Sequence, residues 1–257
     1  MKLSKLLVAI TVSLSVFLCS CSCEDVDLGH IENSGELDSF LPTPGMEKYE
    51  MKYNNTSIPM SYYSGNSTRV QIPVKETGKS GIVGKGGTYD CIEYYTIETE
   101  EFISSATSNL PAIFFVKKSK NYNPGGFTAI TEKDDVDDVI EFSVSFYNKL
   151  PAPITRGMMT YESYMPYRSF TLSKNPSELV NKRNNFTQEF LPAVTLNGVV
   201  HENVYHLYLT SPQYTEDEKY INSYYPLNYI QGIYVKEGIG IIQAYASNGE
   251  KINIGLK

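Results

Sequence analysis

The strongest constraint on the fold is the stretch 139–147. Ile140, Phe142, Val144 and Phe146 alternate with Glu141, Ser143 and Ser145. A period of two places the first set on one face of an extended chain and the second on the other, so this stretch reads as a half-buried strand. Similar but weaker patterns recur along the chain, at 48–53, 58–63, 68–75, 89–99, 112–117, 158–161, 168–172, 190–196, 199–209, 229–235, 239–245 and 251–256. Pro73 argues that 68–75 lies at a sheet edge, because proline cannot donate to a ladder. Lys236-Glu237-Gly238 and Asn248-Gly249 have hairpin-turn chemistry, so the last three strands read as a meander. The 21 Tyr and 11 Phe, with no Trp, suit strands and the wet edges of cores.

Only two helix starts stand out. Asn175-Pro176-Ser177-Glu178 offers a cap followed by proline at the first helical position, and predicts a short helix near 176–183. Thr215-Glu216-Asp217-Glu218 is a second capping box, with room for one or two turns. The expected fold is mainly β: an antiparallel curved sheet or sandwich of about 10–14 strands with one or two short helices. Asn197-Gly198 before one long strand loosely echoes Gly86-Gly87 before another, hinting at two similar β halves.

The amino terminus has a different character. Lys2 and Lys5 precede an apolar run, Leu6 to Leu18, that is too short to span a bilayer. Leu18-Cys19-Ser20-Cys21 follows, and the order is that of a secretory signal peptide over residues 1–20. The tetrad resembles the lipobox of bacterial lipoproteins. By that resemblance Cys21 is lipidated after cleavage behind Ser20. Cys19 would leave bulky Leu18 before the cut, and Cys23 would put polar Ser20 three residues upstream; both fit less well. Residues 21–45 hold several Gly, Pro and acidic residues without periodicity and read as a flexible tether to a β-rich domain at 46–257. The acidic cluster Glu24, Asp25, Asp27 looks like the export tag of surface-displayed Gram-negative lipoproteins, or is a solvated linker. Cys91 reads as a small buried apolar residue, and a disulfide with Cys23 is not expected.

Near the other end, Asn197-Gly198-Val199-Val200-His201-Glu202-Asn203-Val204 and the hairpin Ile233-Tyr234-Val235-Lys236-Glu237-Gly238-Ile239-Gly240-Ile241 resemble a recurrent pattern in Gram-negative envelope lipoproteins. Val235 stands where that family usually has a second Tyr. The resemblance covers about 60 residues and is structural rather than catalytic. It implies a curved antiparallel sheet, sometimes wrapped on a helix, as in outer-membrane lipoprotein carriers and receptors.

The formal net charge of −7 opposes binding to nucleic acid, which needs clustered Lys and Arg. His201 and His206 are five apart, about 140° around a helix, so they do not form the zinc pair of a metalloprotease; on a strand they are expected on opposite faces. Gly78-Lys79-Ser80-Gly81 and Gly84-Lys85-Gly86-Gly87 lack the spacing of a phosphate loop. Asp134-Asp135-Val136-Asp137-Asp138 lacks the central glycine of a calcium loop and reads as a solvated approach to the strand that follows. No cofactor or metal site is expected. Tyr161, Tyr164 and Tyr167 recur every third residue and are candidate ligand-binding rings for a glycan or peptide, or core-filling rings. The expected function is a lipid-anchored outer-membrane protein, facing the cell surface or the periplasm, with a non-enzymatic binding or assembly role. Its partners are the membrane through the N-terminal lipid and an envelope protein or glycan. A surface glycan- or peptide-binding module and a hydrolase with a dispersed site are the alternatives.

Overall fold

The computed structural model describes residues 24–80, 89–106, 110–122, 133, 136–179, 186–211 and 214–257, with the backbone alone at 75–80 and 89–91. The expected signal peptide and lipobox with Cys21, and Cys23, Gly84 to Gly87, Asp134 and Asp135, lie outside the described residues.

Among the described residues fifteen strands are present: β1 (Val26–Ile31), β2 (Gly45–Tyr53), β3 (Thr56–Ser64), β4 (Thr68–Ser80), β5 (Tyr89–Ala106), β6 (Ala112–Lys120), β7 (Asp138–Phe146), β8 (Asn148–Arg156), β9 (Met159–Tyr164), β10 (Tyr167–Ser173), β11 (Phe186–Leu196), β12 (Val199–Leu209), β13 (Ile230–Lys236), β14 (Gly240–Ala246) and β15 (Lys251–Leu256). An α-helix, α1 (Glu216–Asn222), accompanies them. The main sheet runs β10-β7-β6-β5-β3-β2-β15-β14-β13-β12-β11, with β1 and β4 also paired to the long β5; β8 and β9 form a separate ribbon. The pairing is antiparallel except for β1 with β5. The fold is thus mainly β, a curved antiparallel sheet that nearly closes on itself.

The closure has a specific device. β10 and β11 are the two ends of the sheet, and β10 packs against β12 and β13. Gln188 of β11 bridges the seam: its Oε1 accepts from the Ser173 amide at 3.1 Å, and its Nε2 donates to the Ser173 carbonyl at 2.6 Å. A side-chain amide here imitates the next strand and satisfies backbone groups that an open edge would leave exposed.

The core fills the inside of the curve. Ile140, Phe142, Val144 and Phe146 are buried there, as the alternation of β7 requires, beside Tyr49, Met51, Met60, Tyr62, Phe114, Phe170, Leu207 and Ile233. The opposite face of β7 is less wet than expected. Ser143 is buried beneath Tyr167, whose hydroxyl donates to Ser143 Oγ at 2.5 Å.

Several local readings hold. β13, β14 and β15 form the meander, and Pro73 lies in β4, which pairs with β5 alone. Thr215 caps α1 reciprocally with Glu218: the Glu218 amide donates to Thr215 Oγ1 at 3.1 Å and the Thr215 amide to Glu218 Oε2 at 2.7 Å.

Other expectations are corrected. The stretch taken for a tether enters the fold at Val26, since β1 pairs with β5 and both Leu37 and Phe40 reach the main core. Asp25 and Asp27 also accept hydrogen bonds, from the amides of Ile92 and Gly29. The helix expected from Pro176 is a single 3-10 turn, Pro176–Glu178, after which Leu179 is extended. Asn175 makes no cap hydrogen bond there, and its side chain donates to Asp137 at 2.8 Å. β8 went unseen because Pro151 and Pro153 break its pattern, and its pairing with β9 is interrupted between Lys149 and Ile154. Asp138 is not solvated but buried in an ion pair with Lys120.

Candidate functional site

The registers align seven strands into one lateral row on the outside of the sheet. Ser57 faces Lys52, Lys52 faces Asn253, Asn253 faces Gln243, Gln243 faces Tyr234, Tyr234 faces His206, and His206 faces Glu189. The row is largely polar where the inner face of the same strands is apolar. Its two ends have different chemistry.

At the β11–β13 end, His206 is sandwiched between Tyr208 and Tyr234, each ring centroid 4.3 Å away and nearly parallel. His206 Nε2 meets the Tyr245 hydroxyl at 3.0 Å. Glu189 Oε2 lies 3.8 Å from Nδ1, too far for a hydrogen bond. The order carboxylate, imidazole, hydroxyl invites comparison with a nucleophile relay. The electrostatics point the other way. Burial holds His206 below the usual histidine value, with Glu189 offsetting it in part, so the ring is neutral at pH 7. Burial, then the neighbouring Tyr234 and Tyr208, pushes the Tyr245 phenol well above its ordinary value, which disfavours the phenolate. This end is a satisfied aromatic stack.

Gly232 makes the stack possible. A Cβ at that position would fall inside the Tyr245 ring and hydroxyl, which lie across the glycine to reach His206. Gly232→Ala is expected to displace Tyr245 and cost about 1–3 kcal/mol by overpacking. An NMR titration checks it: freed from the Tyr245 hydroxyl and more solvated, His206 should titrate closer to an ordinary histidine.

At the other end the row opens into a cleft of about 870 Å³ between two hairpins. One hairpin turns at Asn54-Asn55 and the other at Asn197-Gly198, all four residues at positive φ, so both are two-residue turns whose twist matches their strands. Their tips bring Asn54, Asn55 and Asn197 to the cleft, where Lys251 and Asn253 of β15 join them. Leu196, Ile242 and Ile254 line it as buried apolar residues. Asn253 Oδ1 accepts from Gln243 Nε2 at 2.7 Å and also bonds Asn197 Nδ2.

His201 belongs to this cleft, on the same outer side as His206. Odd spacing should have put them on opposite faces. Asn203 breaks the alternation, because at φ 55° it takes a left-handed conformation and turns the strand's phase. Val194, which faces His201 across the ladder, accordingly joins Val204 in one apolar cluster. Burial and then Lys236 hold His201 below the usual histidine value.

The three candidate tyrosines do not converge. Tyr161 and Tyr164 form an edge-to-face pair on the β8–β9 ribbon, centroids 6.3 Å apart, and pack on a small cluster of Leu150, Ile154, Ile221 and Leu227. Tyr167 belongs to β10 and bonds Ser143 across the main sheet. Two of the three therefore share a surface, together with Tyr220 of α1. The cleft was missed because the residues lining it are scattered from 50 to 256 and carry no common motif; two Asn-containing turns were the only local signal. Among the described residues no group of three or more His, Cys, Asp or Glu is placed to hold a metal ion.

No family model, curated protein or solved structure matches the chain.

Proposed function

We propose that this protein is a lipid-anchored component of the outer membrane whose β domain binds a partner rather than transforming one. The anchor rests on one observation: Lys2 and Lys5, the apolar run to Leu18, and then Leu18-Cys19-Ser20-Cys21, in that order. Three acyl chains on Cys21 would make release negligible, since each buried methylene contributes about 0.8 kcal/mol. The binding role is supported by the polar cleft, and by the way the carboxylate–imidazole–hydroxyl set of Glu189, His206 and Tyr245 is locked in a stack with an unactivated hydroxyl.

The early entry of the chain into the sheet sharpens this reading. Only Ser22 to Asp25 separate Cys21 from β1. Five extended residue steps span at most about 18 Å. The domain thus sits against the headgroups, not at the end of a long leash.

Radiolabelled palmitate should label the wild-type protein, and Cys21→Ala should abolish the label and leave uncleaved precursor. A label that survives in Cys21→Ala, or a mature chain recovered in the culture fluid with a free unmodified amino terminus, rejects the anchor. Protease shaving of intact cells separates display at the surface from a periplasmic face.

A second reading, a surface glycan-binding module, is favoured by the amide-lined cleft in particular.

A further inference from the structure

We propose that the cleft between the two asparagine turns binds a sugar bearing a carboxylate, with Lys251 as the counter-charge and Asn197 and Asn253 as the hydroxyl-recognising groups. This rests on the reading of the domain as a binding module and names the ligand class of that site.

Three features of the cleft define the ligand. The first is its walls. Primary amides carry a donor and an acceptor side by side, as do vicinal hydroxyls, so a polyol can satisfy both atoms of each amide. Asn54 and Asn55 line the cleft beside Asn197 Oδ1 and Asn253 Nδ2, the atoms that this pair does not use on each other. Asn253 is held in place: one edge of its amide bonds Gln243 and Asn197, and the other edge has no protein partner among the described residues. An orienting network of this kind cuts the ordering cost of binding.

The second feature is the apolar part of the lining, where Val199 and Leu256 are 56% and 55% exposed beside the buried Leu196, Ile242 and Ile254, which suits the C–H face of a pyranose ring. A purely ionic ligand would gain nothing from it.

The third is charge. Lys52 is paired with Glu50 at 3.2 Å, and Glu250 accepts from Tyr53 at 3.0 Å. Lys251 has no ion pair among the described residues, so the cleft offers one unopposed cation in an otherwise acidic protein. A single cation matches a single carboxylate. A phosphate monoester, carrying nearly two charges, would call for a second cation or a set of backbone amides. The volume of about 870 Å³ falls in the range that encloses small ligands and admits a disaccharide.

The test uses the full chain in detergent micelles, titrated by calorimetry with three probes: a glucuronic-acid-containing disaccharide, cellobiose as its neutral counterpart, and sodium acetate. The acidic disaccharide should bind saturably, cellobiose about tenfold more weakly, and acetate not at all. Lys251→Gln should bring the acidic disaccharide down to the affinity of cellobiose and should weaken cellobiose far less than the acidic disaccharide. Asn253→Ala should weaken both sugars alike. Lys251 is exposed, so its variant should fold, and circular dichroism with an unchanged unfolding midpoint checks this. Equal binding of the two sugars, or no effect of Lys251→Gln, overturns the ligand class while the binding role stands. Absence of saturable binding by the acidic disaccharide overturns the inference outright. Palmitate labelling is read separately, so anchor and cleft fail independently.

Discussion

Arg168→Ala is expected to destabilise the protein by about 3–5 kcal/mol, because it strands a buried carboxylate. Arg168 lies on β10 and Glu218 on α1, and their side chains are 4% and 2% exposed. Arg168 Nη1 donates to Glu218 Oε1 and to the Tyr167 carbonyl, both at 2.7 Å, and its guanidinium lies 4.8 Å above the Tyr229 ring. Glu218 also closes the cap of α1 through its other oxygen. One pair therefore fixes a helix that has only seven residues and would not persist alone. The pairing is nonetheless incomplete: Arg168 Nε and Nη2 are buried without a hydrogen-bond partner among the described residues. That deficit sets the second half of the expectation. The double variant Arg168→Met, Glu218→Leu should lose less than either single change, since an apolar pair of similar volume avoids the desolvation of both charges. Urea unfolding of the four proteins measures the cycle. Equal and additive losses would show that the two residues act separately. The same change should loosen the β8–β9 ribbon, whose Leu150 and Ile154 pack on Ile221 of α1.

The sequence is most legible where one strand decides its own faces. The sequence of β7 alternates cleanly, and its apolar set is buried in the core, although Ser143 on the other face is buried as well. The α1 cap is equally local, since Thr215 and Glu218 need only each other. Legibility falls where a distant partner sets the outcome. Nothing in Val26 to Ile31 reveals that it will pair in parallel with β5, because Asp27 and Gly29 look like linker until a neighbouring strand supplies hydrogen bonds. Asn175 looks like a helix cap, yet Asp137 competes for its side chain from another element. The outer row from Ser57 to Glu189 is invisible for the same reason: it exists only through six registers, and each register is a tertiary fact. His201 and His206 illustrate the point at single-residue scale. Strand periodicity separates them, and one left-handed asparagine brings them to the same side.

The second large effect is at the other buried ion pair, where the amino-terminal segment is clamped to the sheet. Asp138 Oδ1 lies 2.6 Å from Lys120 Nζ, and both side chains are 4% exposed. Asp138 Oδ2 accepts from the Ser34 amide at 2.8 Å, the Ser34 hydroxyl at 2.6 Å and the Gly35 amide at 3.2 Å. Lys118, two residues along β6, forms an ion pair with Asp38 of the same segment. Asp138→Asn keeps the shape and the acceptor for Ser34 but leaves the Lys120 ammonium buried without a counter-charge. A loss of about 3–5 kcal/mol at pH 7 is expected. The pH dependence identifies the cause. Burial alone would raise the Asp138 carboxyl, but hydrogen bonds from Lys120 and Ser34, with the Lys120 charge, outweigh it and hold the group below the usual carboxylate range. A depressed folded value means that the wild-type advantage is complete above the unfolded carboxyl value of about 3.9 and is lost as pH falls through the lower folded value. Wild type and Asp138→Asn should therefore converge in stability as the solution is acidified below that point, where both hold Lys120 beside a neutral side chain. A stability gap that stays constant from pH 7 to pH 3 would exclude the ion pair as its source. Because Ser34 and Asp38 lie between β1 and β2 and are held by Asp138 and Lys118, the variant should also expose residues 32–39 to proteases at neutral pH.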